Sequence, residues 1–402
     1  MTKHIAPVVP MSSPDISEED REAVRSVINT TYLSMGPWVD RFENAIRSVT
    51  GRKHAIAVNS GTAGLHLAIR AVGVKRGDIV ITTPFSFVAS TNAILFENAL
   101  PVFVDVDPVT GNIDIEQLKQ AVDDLSAGGE RARKWLPRKL PRYFDDSGAE
   151  IQPRLKALLP VDVFGQPADM DTIMSVAREH SLPVIEDSCE ALGAEYKKIP
   201  AGKQGDIGIF AFYPNKQITT GEGGMIVTDN DEYAAYMQAL RNQGRAPGDN
   251  WLQHTLLGYN YRLDEMSAAL GASQINRLDS LLAARQNVAD MYARHLADVP
   301  GIEPLAVLPS TTRMSWFVYV VRVPRGVDRM AVADRLAAKG VPVRPYFLPI
   351  HLQPYMVERF GYRQGDYPVT EDLGERGLAL PFSGVMKADQ VEMVCNALRE
   401  SL

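Results

Sequence analysis

The stretch Gly205-Asp206-Ile207-Gly208-Ile209-Phe210-Ala211-Phe212-Tyr213-Pro214-Asn215-Lys216-Gln217-Ile218-Thr219-Thr220-Gly221-Glu222-Gly223-Gly224-Met225-Ile226-Val227-Thr228 decides how the rest of the chain is read. Its apolar, aromatic run from Ile209 to Tyr213 has the character of a buried strand. Pro214 ends that strand, because proline has no N–H to give to a ladder. Lys216 follows at once, and a glycine-rich turn then opens a second apolar strand, Met225 to Thr228. A lysine in a turn between two buried strands is rigidly placed and partly desolvated. Burial disfavours the ammonium and frees the amine, which suits a lysine that condenses with a carbonyl. On the lysine alone, the ordinary reading is a solvated surface side chain.

Its neighbours argue otherwise. The run Asn215 to Gly224 resembles the lysine segment of the DegT-type sugar aminotransferases, which are fold-type I pyridoxal phosphate (PLP) enzymes. That family shows a strand, an aromatic-Pro-x-Lys turn and then Thr-Gly-Glu-Gly-Gly. The resemblance runs from about Pro14 to the C-terminus, apart from an insertion at roughly 124–156 that has no counterpart. It implies an α/β fold, a mostly parallel central sheet with flanking helices, followed by a smaller C-terminal α+β domain. The implied organisation is a large PLP-binding domain over 1–265, a linking helix over 266–300 and the small domain over 301–402.

Composition excludes several other classes. A chain of 402 residues can bury a large core and form one big domain with a smaller companion. The net charge of −7 argues against a sequence-independent grip on nucleic acid or on an anionic membrane. No apolar run approaches the roughly 20 residues of a membrane span. The opening Met1-Thr2-Lys3-His4-Ile5-Ala6-Pro7 lacks the basic-then-apolar pattern of a signal peptide. Two cysteines, Cys189 and Cys395, are too few for a disulfide framework or a closed zinc site. A cytoplasmic protein without a metal site is expected.

Taken in order, residues 15–30 read as a helix with Ser17 as N-cap and Asp20 completing a variant capping box. A turn-rich loop containing Tyr32 precedes a second helix, Val39 to Val49. Ala55 to Val58 is a short strand, and Asn59-Ser60-Gly61-Thr62-Ala63-Gly64 turns the chain into a helix from Leu65 to Val72. A small-residue turn opening a helix offers free N–H groups and the positive end of a dipole to an anion. An ordinary strand-to-helix turn is the competing reading. Neither G-x-G-x-x-G nor a Walker lysine motif is present, which disfavours a nucleotide phosphate. The resemblance makes this turn the PLP phosphate cradle, with Gly61 and Thr62 as contacts. Ile79 to Pro84 is another strand. Phe87, just beyond it, stands where the family places its ring-stacking aromatic, whereas an aromatic at such a position is more often core. With Val102 to Val106 as the next strand, the alternation argues for a parallel, right-handed α/β sheet. The insertion carries Arg131, Arg133, Lys134, Arg138, Lys139 and Arg142 with Trp135 and Tyr143. It reads as a solvated excursion or as a loop that touches substrate phosphates.

Asp187, just past the apolar run Pro183–Ile185, falls at the C-terminal edge where open α/β sheets bind ligands. It is either a helix N-cap or a carboxylate facing a pyridine nitrogen. Resemblance to the family's Glu-Asp-x-x-Gln/His segment favours the pyridine role. Two departures from the family stand nearby. Glu190 replaces the usual Gln or His near the ring's phenolic oxygen, adding a negative charge that must be neutralised, turned away or paired. Ala211 replaces a serine five residues before the lysine, removing a phosphate-binding hydroxyl. The resemblance also implies that Asn260, and secondarily Arg262, reaches the cofactor phosphate of a neighbouring subunit, hence a homodimer with a shared site. A single long helix is expected from Ser267 to about Leu296. In the C-terminal region a strand over Trp316–Val323, a helix over Arg329–Lys339 and a strand over Val341–Arg344 are expected. Tyr346 and His351 are candidate substrate contacts together with Tyr32, although a buried structural histidine is the commoner case.

The implied activity is a PLP-dependent aminotransferase, with Lys216 and Asp187 as catalytic residues and glutamate or glutamine as amino-acid donor. The implied acceptor is a keto-sugar, a nucleotide-linked 4-keto-6-deoxy or 3-keto hexose, for amino-sugar biosynthesis. A keto-cyclitol acceptor, a PLP-dependent sugar dehydratase and a non-enzymatic regulator are the alternatives. Lys216 argues against the dehydratase, since relatives with that chemistry carry histidine there. Retention of both Lys216 and Asp187 argues against a regulator.

Overall fold

The computed structural model describes residues 8–246, 248, 250 and 252–402. The segment Met1–Pro7, read above as lacking a leader pattern, lies outside them. The chain opens on the helix Glu18–Ile28, and its cap is the one the sequence predicts. Asp20 N–H donates to Ser17 Oγ at 3.2 Å while Ser17 N–H donates to Asp20 Oδ2 at 2.9 Å.

The central sheet forms from short, almost wholly buried apolar strands. Four of them lie in the order His54–Val58, Gly224–Thr228, Ile207–Ala211, Ile185–Asp187. Three more lie in the order Leu100–Phe103, Ile79–Thr82, Leu155–Leu158. Parallel bridges Leu158↔Val184 and Val161↔Asp187 join the two sets. The pairings are parallel except where Gly224–Thr228 inserts antiparallel between His54–Val58 and Ile207–Ala211. Burial on both faces explains why these strands read as continuous Val/Ile/Phe runs rather than alternating ones. The expected mostly parallel α/β sheet is therefore present.

Local boundaries differ in instructive ways. The strand expected over Ile209–Tyr213 runs over Ile207–Ala211, because its pairing with Gly224–Thr228 ends at Ala211↔Gly224. Phe212 already belongs to the turn, where its carbonyl accepts from Thr220 N–H at 3.0 Å. The helix expected from Leu65 begins at Gly61, since Ser60 Oγ caps it by accepting from Ala63 N–H at 3.1 Å. The single long helix expected over 267–296 is two helices, Glu265–Ile275 and Leu278–Leu296. The break falls at Asn276–Arg277, where the Arg277 side chain is tied to Asp15 and Asp20 at 3.2 and 2.8 Å.

The insertion is packed. Buried Asp124 gathers Arg131 at 2.8 Å, Lys134 at 2.7 Å and the Trp135 indole at 3.0 Å. Its hairpin, Tyr143–Phe144 with Glu150–Ile151, packs beside Gly77, which precedes the strand Ile79–Thr82. It thus lies at the N-terminal edge of the sheet, opposite the edge that carries the candidate residues.

A second, antiparallel sheet follows, with strands ordered Glu303–Pro304, Tyr319–Arg322, Gly377–Leu380, Arg344–Pro345. Val332, Leu336, Val391, Val394 and Leu398 from the helices Arg329–Ala338 and Ala388–Arg399 share a core with it. The strand expected over Trp316–Val323 is shorter, because Trp316 and Phe317 leave the ladder to approach the lysine turn. No helix among the described residues is long and apolar enough to cross a membrane.

Candidate active site

The C-terminal ends of the parallel strands open onto a cavity of 420 Å³. Ser60, Gly61 and Thr62 reach it from the end of His54–Val58, and Ser86, Phe87 and Ser90 from beyond Ile79–Thr82. Asp187, Cys189 and Glu190 line it past Ile185–Asp187, and Ala211, Tyr213, Asn215 and Lys216 past Ile207–Ala211. The antiparallel strand offers its N-terminal end, Glu222 and Gly223, to the same edge. Phe317, Tyr346 and Phe347 close the cavity from the C-terminal region.

One corner is built for an anion. Gly61 and Thr62 are the first two residues of their helix, so their N–H groups have no intrahelical acceptor. Gly61 has no room for a side chain: an added Cβ would lie 2.8 Å from Ala211 Cβ and 3.0 Å from Cys189 Sγ. Ala211 therefore does more than omit a hydroxyl, because its methyl packs directly against the helix start.

Asp187 closes the strand Ile185–Asp187 and is nearly inaccessible. Successive strand residues face opposite ways, and here the two carboxylates part accordingly. Glu186 accepts the N–H groups of Gly202, Gln204 and Gly205, away from the cavity. Asp187 faces the cavity, where Ser90 Oγ donates to its Oδ2 at 2.6 Å and Cys189 N–H reaches Oδ1 at 3.2 Å. Ser86 Oγ stands 3.2 Å from Ser90 Oγ and extends the chain of hydroxyls. The sequence reading passed over Ser90. A small hydroxyl one turn beyond a ligand-facing loop was the available signal, but its partner is 97 residues away.

Lys216 stands across the cavity. Its N–H donates to Tyr213 O at 2.9 Å, closing the turn after Pro214. Its Nζ lies 3.5 Å from Glu190 Oε1 and 3.7 Å from the centre of the Phe317 ring. Burial pushes the Glu190 carboxyl above its ordinary range, against the pull of the Lys216 ammonium. Its other oxygen accepts Phe164 N–H at 2.9 Å. The extra charge noted in the sequence is therefore paired rather than turned away. Burial raises the Tyr346 phenol to about 12, with Glu190 adding to the effect. Asn215 Oδ1, buried in the wall of the same cavity, has no protein partner.

The structure separates Phe87 from Phe85. Phe85 is core, packed edge-on against Phe164 and Phe347, whereas Phe87 is 62 % exposed at the cavity mouth. Tyr346 is a wall residue, but Tyr32 and His351 are not. Tyr32 is exposed on its loop. His351 is fully buried, its Nε2 2.9 Å from Glu371 Oε1, and burial lowers its pKa. Asn260 is exposed and outside the cavity of its own chain, and Arg262 donates to Asn242 Oδ1 at 3.0 Å.

A helix N-terminus, an amine and a buried carboxylate on one sheet edge suit a flat, phosphorylated aldehyde, and comparison with known proteins identifies which. The sequence pattern of the DegT/DnrJ/EryC1/StrS aminotransferase family matches residues 14–129 and 144–399. The chain belongs to that family. The unmatched residues between the two segments lie within the packed insertion. The GDP-perosamine synthase of Caulobacter vibrioides is 37 % identical over 98 % of this chain and 99 % of its own. A Bacillus subtilis protein whose name places it among pyridoxal phosphate-dependent aminotransferases, EpsN, is 33 % identical over 96 % of this chain and 94 % of its own. The solved structure of Helicobacter pylori PseC, an aminotransferase involved in pseudoaminic acid biosynthesis, superposes with a TM-score of 0.85 at 27 % identity, covering 98 % of each chain. This DegT/DnrJ/EryC1/StrS member is thus a PLP-dependent sugar aminotransferase with the fold-type I architecture. The residues lining the cavity fit that cofactor: an open helix start, a cavity-facing carboxylate, an amine and an orphaned amide oxygen share one cavity.

Proposed function

We propose that Lys216 and Asp187 are the catalytic residues of an aminotransferase that moves an amino group from glutamate or glutamine to a nucleotide-linked 4-keto-6-deoxy or 3-keto hexose. The observation that carries this reading is the convergence of the Lys216 amine, the Asp187 carboxylate and the Gly61–Thr62 helix start on one cavity. When bound, PLP supplies an electron sink for the charge that develops at the donor's α-carbon.

The protein's own groups divide the remaining work. Gly61 and Thr62 N–H groups would hold the phosphate at the helix start. Asp187 would hold a proton on the pyridine nitrogen, and the Ser90 hydroxyl, donating to Oδ2, fixes the carboxylate's orientation. Lys216 Nζ, as a free amine, would take up and return the proton of the donor's α-carbon. Glu190 balances the lysine's charge at 3.5 Å while anchored to Phe164 N–H. Phe87, exposed at the mouth, would stack on the cofactor ring.

The sugar assignment is supported by relatives whose names concern amino sugars and a spore coat polysaccharide. A homodimer completes the reading. Asn260 is exposed and cannot line its own chain's cavity, while Phe87 and Tyr213 stand exposed at the mouth. A second copy seated there would bring its Asn260 to the phosphate. Of the candidate substrate contacts Tyr32, Tyr346 and His351, Tyr346 is the one that lines the cavity, which supports assigning it to the substrate. The deciding experiment is an absorbance spectrum of the purified protein with PLP, before and after glutamate or glutamine. A cofactor band that shifts to the aminated form supports the assignment, and a protein that develops no cofactor band overturns it. Light scattering tests the dimer separately.

A further inference from the structure

Arg285, midway along the helix Leu278–Leu296, is only 4 % exposed, and no carboxylate pairs with it among the described residues. A buried cation without a counterion is expensive, and an apolar side chain would pack a helix face at lower cost. Its charge is met instead by four backbone carbonyls. One terminal nitrogen donates to Trp316 O at 3.0 Å and Phe317 O at 3.2 Å. The other donates to Asn215 O at 3.2 Å and Lys216 O at 2.5 Å. Each nitrogen thus serves one segment, and the planar fork sets the distance between them. Those two segments carry the Lys216 amine and the Phe317 ring that meet at 3.7 Å.

The geometry points to Arg285 as a positioning residue for Lys216: its guanidinium clamps the lysine turn to the Phe317 segment and thereby aims the amine into the cavity. The proposal rests on the reading of Lys216 as the cofactor-binding lysine. Burial lowers Arg285 itself to about 10, in keeping with a desolvated charge held by neutral dipoles. Arg285 does not itself line the cavity, so its influence passes through the backbone of the wall residues Asn215, Lys216 and Phe317.

The test uses the apoproteins of wild type, Arg285→Met and Arg285→Lys. Each is melted, titrated with PLP by cofactor absorbance, and reduced with borohydride to map and quantify labelling of the Lys216 peptide. Both variants are expected to remain folded. Arg285→Met weakens PLP binding about tenfold and lowers the yield of labelled Lys216 at saturating PLP, as loss of the clamp on the lysine turn requires. Arg285→Lys recovers only part of both, because an ammonium lacks the fork. Wild-type affinity and labelling in both variants overturn the proposal. Loss of the folded apoprotein in both also overturns it, since Arg285 would then serve the fold alone. Unlabelled Lys216 in the wild-type protein would instead remove the reading of Lys216 itself, which separates the two failures.

Discussion

The inner wall and the outer rim of the cavity are built on opposite principles. Inside, Asp187, Glu190 and Ser90 are nearly inaccessible, and each is held by at least one hydrogen bond from its own chain. At the rim, Phe87 and Tyr213 are 62 % and 53 % exposed, and Asn260 is exposed outside the cavity. Buried polar groups keep a position only when their partners are satisfied, so the inner wall is preorganised by a single chain. An exposed aromatic rim has no such constraint and suits a surface completed by something else. On the proposed assignment the chemistry falls to the wall, and the rim is left to be completed by whatever docks there.

The largest test of this contrast is Lys216→Ala, which should lower turnover by about a thousandfold or more while leaving the melting temperature near wild type. Measurable transamination at an ordinary rate would move the catalytic amine elsewhere. Asp187→Asn should lower kcat by about a hundredfold, since an amide cannot hold the ring nitrogen's proton by charge. Steady-state kinetics with glutamate decide it. Ser90→Ala, at the same wall but one step removed, should cost about tenfold in kcat, with Ser90→Thr restoring most of the loss. Equal rates in both variants would reduce Ser90 to packing.

Glu190→Gln probes the wall through stability rather than rate. Burial raises the Glu190 carboxyl in the folded state, so the native protein holds that proton more tightly than the unfolded chain. Its contribution is therefore fully present below the unfolded value of about 4.5 and is lost as pH rises through the higher folded value. Urea midpoints of the apoprotein should fall less steeply with rising pH in Glu190→Gln than in wild type. Parallel slopes would mean that Lys216 keeps Glu190 ionised throughout. The smallest effect is expected at the rim. Phe87→Ala should weaken PLP binding by only a few-fold, about 1 kcal/mol, with kcat nearly unchanged. A collapse of kcat there would erase the distinction between rim and wall.

How far the site was legible follows the same division. Motif residues clustered in sequence, Gly61–Thr62, Asp187–Glu190 and Asn215–Gly224, come together at one sheet edge because a parallel sheet aligns the C-terminal ends of its strands. Residues whose meaning depends on a distant partner were not readable. Ser90 looked like any helix residue until Asp187 was brought beside it, and Arg285 was one more arginine on an amphipathic helix. His351, a candidate for substrate contact, is sealed against Glu371, a pairing that no local pattern announces. The break at Asn276–Arg277 was equally hidden, since neither residue is a helix breaker.

Hydrophobic continuity with proline and glycine punctuation indicates, without coordinates, an α/β chain, and the resemblance of the lysine segment to the DegT-type family singles out Lys216 as the candidate cofactor lysine. These are local signals, set by backbone sterics and by burial of short apolar runs. Tertiary structure alone decided that Glu190 is paired, that His351 is sealed away from the cavity, and that Arg285 bridges two segments. The reason is physical: a side chain's charge state, exposure and hydrogen-bond partner are properties of its surroundings, and those are assembled from residues far apart in the chain.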